Sequence, residues 1–206
     1  MFNVLLDPLP TEYKGFPIDS DFQIGIQIFQ AFENDDLTEQ EKFATAFDLL
    51  FMDSDENGNP IPHKDENGND LPLPDIVTAK EGIEWFLSGW YTDNTVDDGG
   101  EKHKDMDYDI DQWRIYSAFL KQYRIDLNTD KVHFWKFMGL LSTVDECAYT
   151  RIIDIRTQKI KPKMEAEYKN AIKKAKQKYS LQSYDDELTA EDQEAIDAFM
   201  EFVKRK

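Results

Sequence analysis

Apolar residues recur at spacings of three and four along most of this chain, and wherever that spacing stops, Asp, Asn, Gly and Pro take over. The alternation constrains the fold more than any single residue does. A three-and-four spacing gives a helix one apolar face to bury, and the Gly- and Pro-containing stretches between cannot continue it. The chain is therefore expected to be mostly α, with minor β at the N-terminus or in loops. Residues 1–180 read as a single helical domain, and residues 181–206 as a polar link followed by a C-terminal helical extension.

Local signals place the elements. Pro8, Pro10, Gly15 and Pro17 forbid an opening helix and leave room for small strands in residues 2–5 and 12–16. Asp19 or Ser20 can cap a first helix with Phe22, Ile26 and Phe29 on its apolar side. Thr38 followed by Glu41 is a capping box that opens a second helix through Phe43, Phe47 and Leu50. Residues 53–74 form an acidic loop or small hairpin in which the pentapeptide DENGN occurs twice, from Asp55 and from Asp65. A third helix is expected over 75–87, ending near Gly89, followed by a second acidic loop at 93–106. The fourth covers 109–123, with Trp113, Tyr116, Phe119 and Leu120 at helical spacing. Asn128 to Asp130 can cap the fifth, over 131–141, whose apolar residues run nearly all round and mark it as buried. A sixth over 145–156 presents Ala148, Ile152 and Ile155. A basic seventh over 162–179 carries the stripe Met164, Tyr168, Ile172, Ala175 and Tyr179. A last helix, opened by Thr189, presents Ile196, Phe199, Met200 and Val203.

Charge narrows the partners. The net charge is −18, yet aromatic residues make up 13% of the chain, so a packed core is within reach where a disordered acidic chain would have none. The charge is uneven: residues 1–112 carry 27 acidic and 6 basic side chains, whereas residues 151–178 carry ten basic and three acidic ones. An acidic body repels phosphate backbones, so no nucleic-acid partner is expected. Residues 132–141, the richest apolar stretch, are too few to cross a bilayer, and no membrane association is expected. The start of the chain lacks the basic and apolar regions of a secretory leader, and the single Cys147 suits a reducing compartment. An acidic body with a basic arm also permits self-association through unlike patches.

Candidate chemistry is sparse. Asp53, Asp55, Asn57 and Asn59, with Gly58, reproduce the first half of a calcium loop, where alternating oxygen side chains and a glycine turn converge on one ion. The second half departs from the motif: Lys64 occupies the bidentate Glu position, and Pro60 and Pro62 replace the aliphatic residue and the helix. The favoured reading is a turn-forming loop, since Asn-Gly is a strong hairpin dipeptide; heat released on titrating millimolar calcium would reverse it. His63, His103 and His133 stand at no metal-ligand spacing, and His133 reads as a hydrogen-bonded packing residue. No nucleophile elbow, phosphate-cradling loop or dinucleotide fingerprint is present, so neither enzymatic activity nor a cofactor is expected. Contacts with a partner are assigned instead to Lys169, Lys173 and Lys176 on the basic helix and to Ile196, Phe199, Met200 and Val203 on the last, which can either dock in cis or lay its apolar face into a partner's groove.

The most distinctive stretch reads IYSAFLKQYRIDL, HFWKFMGLL and RIIDIR. Its Ile115, Tyr116 and Phe119, then Tyr123, Ile125, Asp126 and Leu127, then His133 to Phe137, then Ile152, Ile155 and Arg156 resemble the gene-product-fifteen family of phages that infect Gram-positive bacteria. Asp21-Phe22 and Trp85-Phe86 fit the same pattern, and the likeness covers most of residues 1–180. Arg124 stands where Gly is expected. The resemblance implies a tail assembly chaperone: a non-enzymatic protein that binds the tape-measure protein, and in turn the tail tube protein, in the host cytoplasm, and is absent from the mature virion. The alternative it leaves open is a structural virion protein of the tail or connector. The aromatics of this stretch, Trp113 included, are expected in the core.

Overall fold

The computed structural model describes residues 2–90 and 104–181. It is mostly α among these residues, and it divides into two compact units, Met1–Gly100 with Trp113–Cys147, and Glu101–Gln112 with Ala148–Lys206. The last predicted helix, the linker before it and most of the loop at 93–106 lie outside the described residues.

The larger unit opens not with a strand but with a turn at residues 3–7. Asn3 Oδ1 accepts from the Leu5 amide at 2.9 Å and Asp7 Oδ2 from the Asn3 amide at 2.8 Å, which draws the chain round. A short hairpin follows, β1 (Glu12–Tyr13) with β2 (Phe16–Pro17), its turn made by Lys14 and Gly15 at positive φ. Helix α1 (Phe22–Glu33) is capped by Asp21 rather than Asp19 or Ser20, because Asp21 Oδ1 is the oxygen that reaches the Gln23 amide. It buries Phe22, Gly25, Ile28 and Ala31, so Ile28 rather than Ile26 enters the core. Helix α2 (Glu39–Phe51) carries the Thr38–Glu41 capping box complete, which holds Glu41 below the usual carboxylate range. Strands β3 (Met52–Ser54) and β4 (Pro60–Pro62) pair antiparallel, and α3 (Ile76–Ser88) runs from its Asp75 cap to Gly89 as expected.

Helix α4 (Gln112–Ala118) begins three residues later than its apolar spacing suggests. Asp107 is the reason: its carboxylate accepts the Asp109 and Ile110 amides at 2.8 and 2.9 Å and holds that segment in a turn. The helix then widens into a π turn, Phe119–Tyr123, which ends on Arg124 at φ 59°. That left-handed conformation is the one glycine adopts without penalty, which explains why Gly is expected here.

Helix α5 (Phe134–Ser142) is capped by His133, not by Asn128 to Asp130, which form a separate turn on Asp126. The ring serves as the cap because both its nitrogens find partners: Nδ1 accepts from the Trp135 amide at 3.0 Å, and Nε2 lies 2.8 Å from the Pro10 carbonyl. The carbonyl can only accept, so the neutral ring carries its proton on Nε2. Helix α5 is apolar nearly all round because it packs on two sides. Phe134 and Trp135 join Ile28, Leu50, Phe51, Ile83 and Phe86 in the main core, while Phe137 stacks between Phe22 and Phe119 at centroid distances of 4.9 and 5.0 Å. Gly25 lets α1 and α5 meet, since a Cβ there would lie 2.1 Å from Phe134 Cδ2. The Trp135 indole N–H donates to the Phe86 carbonyl at 2.7 Å, tying α5 to the end of α3.

The smaller unit comprises residues 104–112, α6 (Ala148–Thr157) and α7 (Ala166–Lys178). Tyr149 and Ile152 are buried on α6 and Ile172 on α7. Ala148, expected inside, is exposed, and so is Tyr168 of the α7 stripe.

Candidate interaction surfaces

The calcium-like loop is a pair of turns. Asp55 Oδ1 accepts the Asn57 and Asn59 amides, both at 2.8 Å, and its Oδ2 accepts from the Asn59 side chain at 2.9 Å. The second DENGN repeats this around Asp65 at 2.9, 2.8 and 3.0 Å. Both carboxylates are held below their usual range, chiefly by the hydrogen bonds from Asn59 and Asn69. Gly58 and Gly68 supply the positive φ that closes each turn. Asp53 is turned to His63 instead, with its Oδ2 3.0 Å from Nδ1. Asp55 is thus engaged by the amides and side chain of its own turn and Asp53 by His63, and among the described residues no group of three or more acidic, His or Cys side chains is placed to hold a metal. This is the geometry of a repeated hairpin turn.

The basic helix is also partly engaged within the protein. The Lys169 ammonium donates to the Pro162 carbonyl and that of Lys176 to the Arg156 carbonyl at 2.7 Å, while Lys173 is exposed. Ile196, Phe199, Met200 and Val203 lie outside the described residues.

Two features carry no clear mark in the sequence. The first is a buried ion pair in the smaller unit. Arg156 Nη1 and Nη2 donate to the two carboxylate oxygens of Asp111 at 2.6 and 3.1 Å; Asp111 is 0% exposed and the Arg156 side chain 7%. The same guanidinium donates to the Asp105 and Tyr179 carbonyls, and the Asp107 amide also reaches Asp111 Oδ2. Arg156 therefore fastens the segment before α4, α6 and the end of α7 to one another. Arg156 stands out as a motif position, but the 42 acidic residues of the chain give no signal for which one is its partner.

The second is a set of exposed apolar side chains. In the larger unit Leu5, Ile76, Val77 and Trp113 are 88, 75, 69 and 71% exposed. Trp113 is a correction to the expected core. Ile115, Ala118 and Phe119 form the stripe that α4 buries, which turns Trp113 and Leu120 to the opposite side. A competing stripe within the same helix was the available signal. The Trp113 and Tyr116 rings meet edge to face at 5.8 Å, so the exposed tryptophan is held rather than loose. Ile76 and Val77 occupy the first turn of α3 beside its Asp75 cap, with Glu81 and Glu84 along the same helix.

The positions that carried the family resemblance are mostly core. Ile115, Phe119, Leu127, Phe134, Trp135, Phe137 and Ile152 are buried, Tyr123 donates to the Leu140 carbonyl at 2.9 Å, and Arg156 holds Asp111. The pattern is thus largely a description of how this fold is held. No curated protein and no solved structure matches the chain significantly. A family model described as Bacteriophage Gp15 protein matches residues 5–181, and the chain belongs to that family.

Proposed function

We propose that this phage protein is a non-enzymatic tail assembly chaperone that binds the tape-measure protein of its phage during tail morphogenesis, acting in the host cytoplasm and leaving before the virion is complete. Membership of the phage family supplies the setting. The observation that carries a binding role is the exposure of Ile76 and Val77, 75 and 69%, on an acidic, folded domain. Large aliphatic side chains left in water on one helical turn suit the apolar stripe of another helix. A tape-measure protein is a long helical chain whose stripes invite aggregation until tube subunits cover them. The net charge of −18, with Asp75 and Glu84 on the same helix, favours a client whose stripe is flanked by lysines, because unlike charges speed encounter and still permit exchange. Exchange is what handing the client to the tail tube protein requires.

The test is co-expression with the tape-measure protein of the same phage. A soluble tape measure that co-elutes with this chain is expected. An insoluble tape measure, with this chain present in stoichiometric amounts in purified virions by mass spectrometry, would instead establish a structural role in the tail or connector.

A further inference from the structure

We propose that two copies of this chain associate through unlike faces of the larger unit, the first turns of α3 in one copy lying along α4 and its π turn in the other. The apolar parts come first. Ile76 and Val77 open α3 at 75 and 69% exposure, and Trp113 and Leu120 stand on the outer side of α4 and the π turn at 71 and 42%. Both sets belong to one compact unit and both are exposed in it, so neither covers the other within a single copy. A second copy can cover both.

Charge selects the meeting place and sets the register. A chain of net charge −18 repels its own kind, so copies meet where negative charge is lowest. Residues 112–124 are such a stretch: they hold no acidic residue, and Lys121 and Arg124 are exposed at its Leu120 end. On α3, Glu84 lies seven residues after Val77 and shares its side, with Lys80 exposed between them. On α4 the middle level is Tyr116, three residues after Trp113, and the Asp126 carboxylate lies beside its hydroxyl.

With the two helices parallel, three levels match at once. Ile76 and Val77 meet the Trp113 ring, Lys80 meets Asp126, and Glu84 meets Lys121 and Arg124. Each set spans about 12 Å at the helical rise, so the levels stay in step. The antiparallel arrangement would put Glu84 over Trp113 and set Lys121 against Ile76 and Val77, losing that charge pair. Two helical turns on each side make a small contact, which implies a weak association with a Kd on the order of 100 µM. The contact does not rest on the chaperone reading, although a copy seated on Ile76 and Val77 would keep a client from them.

The experiment is sedimentation velocity of the full chain alone, with no client, over a concentration series that brackets that Kd. The wild type should sediment faster as concentration rises. Ile76→Asp/Val77→Asp and Trp113→Ser/Leu120→Ser change only exposed positions, so each should melt as the wild type does and stay monomeric by itself. Mixed in equal amounts the two variants should pair, because each supplies the face the other lacks. A wild type that stays monomeric overturns the proposal, and so does a mixture that stays monomeric. Association that survives in either variant alone also overturns it, since a self-complementary patch would need only one of the faces. Register is read by charge exchange. Glu84→Lys and Lys121→Glu should each weaken association about threefold, and the chain carrying both should recover most of the loss. A double variant that associates no better than the single ones overturns the parallel pairing.

Discussion

The two units of this protein hold themselves together by different means. In the larger, Phe51, Phe86, Phe119, Phe134 and Phe137 are fully buried and their rings stack across helices, so the unit stands on apolar burial and close packing. Among the described residues of the smaller, the buried apolar ones are few, and the one buried most completely is a carboxylate, Asp111, gripped by Arg156. Burying a charge is costly unless its partner and its hydrogen bonds are all in place, and here a bidentate pair with further bonds to backbone meets that condition. The contrast teaches that a short helical pair with a thin core can be fixed by one hub residue, at the expense of depending on it.

Arg156→Met should break the comparison most sharply. It strips the buried Asp111 carboxylate of its guanidinium partner, which costs about 4 kcal/mol. Amide exchange should rise across α6 and α7, and adding Asp111→Leu should recover a good part of the loss. If Arg156→Met alone exchanges as the parent does, the hub is not what fixes the unit. Gly25→Ala probes the larger unit by packing alone. Its Cβ would lie 2.1 Å from a Phe134 ring that other aromatics hold in place. A destabilisation of about 3 kcal/mol is expected from urea unfolding, with faster exchange in α1 and α5.

Acidification should have a smaller effect in the larger unit, through His133. Burial holds this ring below its ordinary value of 6.5, against the opposing influence of the Pro10 carbonyl and Asp21. The unfolded chain takes up its proton first, so the stability the neutral ring contributes is full above about pH 6.5 and is lost as pH falls through the lowered folded value. Urea midpoints should decline over that window, and His133→Asn should flatten the decline. Arg124→Gly should have the least effect and the opposite sign. Relief of a left-handed arginine, offset by the looser unfolded chain, should stabilise by about 0.5 kcal/mol; a lower thermal midpoint would mean the Arg124 side chain matters more than its backbone.

What can be read in the sequence is what is local. The Thr38–Glu41 capping box, the Asp75 and Gly89 limits of α3 and the DENGN turns each depend on short-range signals, and each appears where the sequence puts it. Apolar spacing misplaces the start of α4 because it says nothing of Asp107, whose carboxylate holds the preceding amides in a turn. The cap of α5 escapes because His133 is an uncommon cap whose second nitrogen depends on Pro10, 123 residues away. The candidate surfaces divide in the same way. The lysines of α7 are visible as charge, but the bonds of Lys169 and Lys176 to the Pro162 and Arg156 carbonyls are not. Trp113 reads as core because two apolar stripes share α4. Asp111 cannot be singled out at all, since an acidic residue becomes a hub only once the fold brings Arg156 to it.

The measurement closest to the central claim compares the wild-type chain with Ile76→Asp/Val77→Asp during co-expression with the tape-measure protein. Both positions are exposed, so the variant should fold and melt as the wild type does. A binding role through α3 predicts that the wild type keeps the tape measure soluble and co-elutes with it, while the folded variant does neither. A variant that co-elutes as well as the wild type would contradict the proposed face, and a wild type that recovers no tape measure would contradict the chaperone role itself.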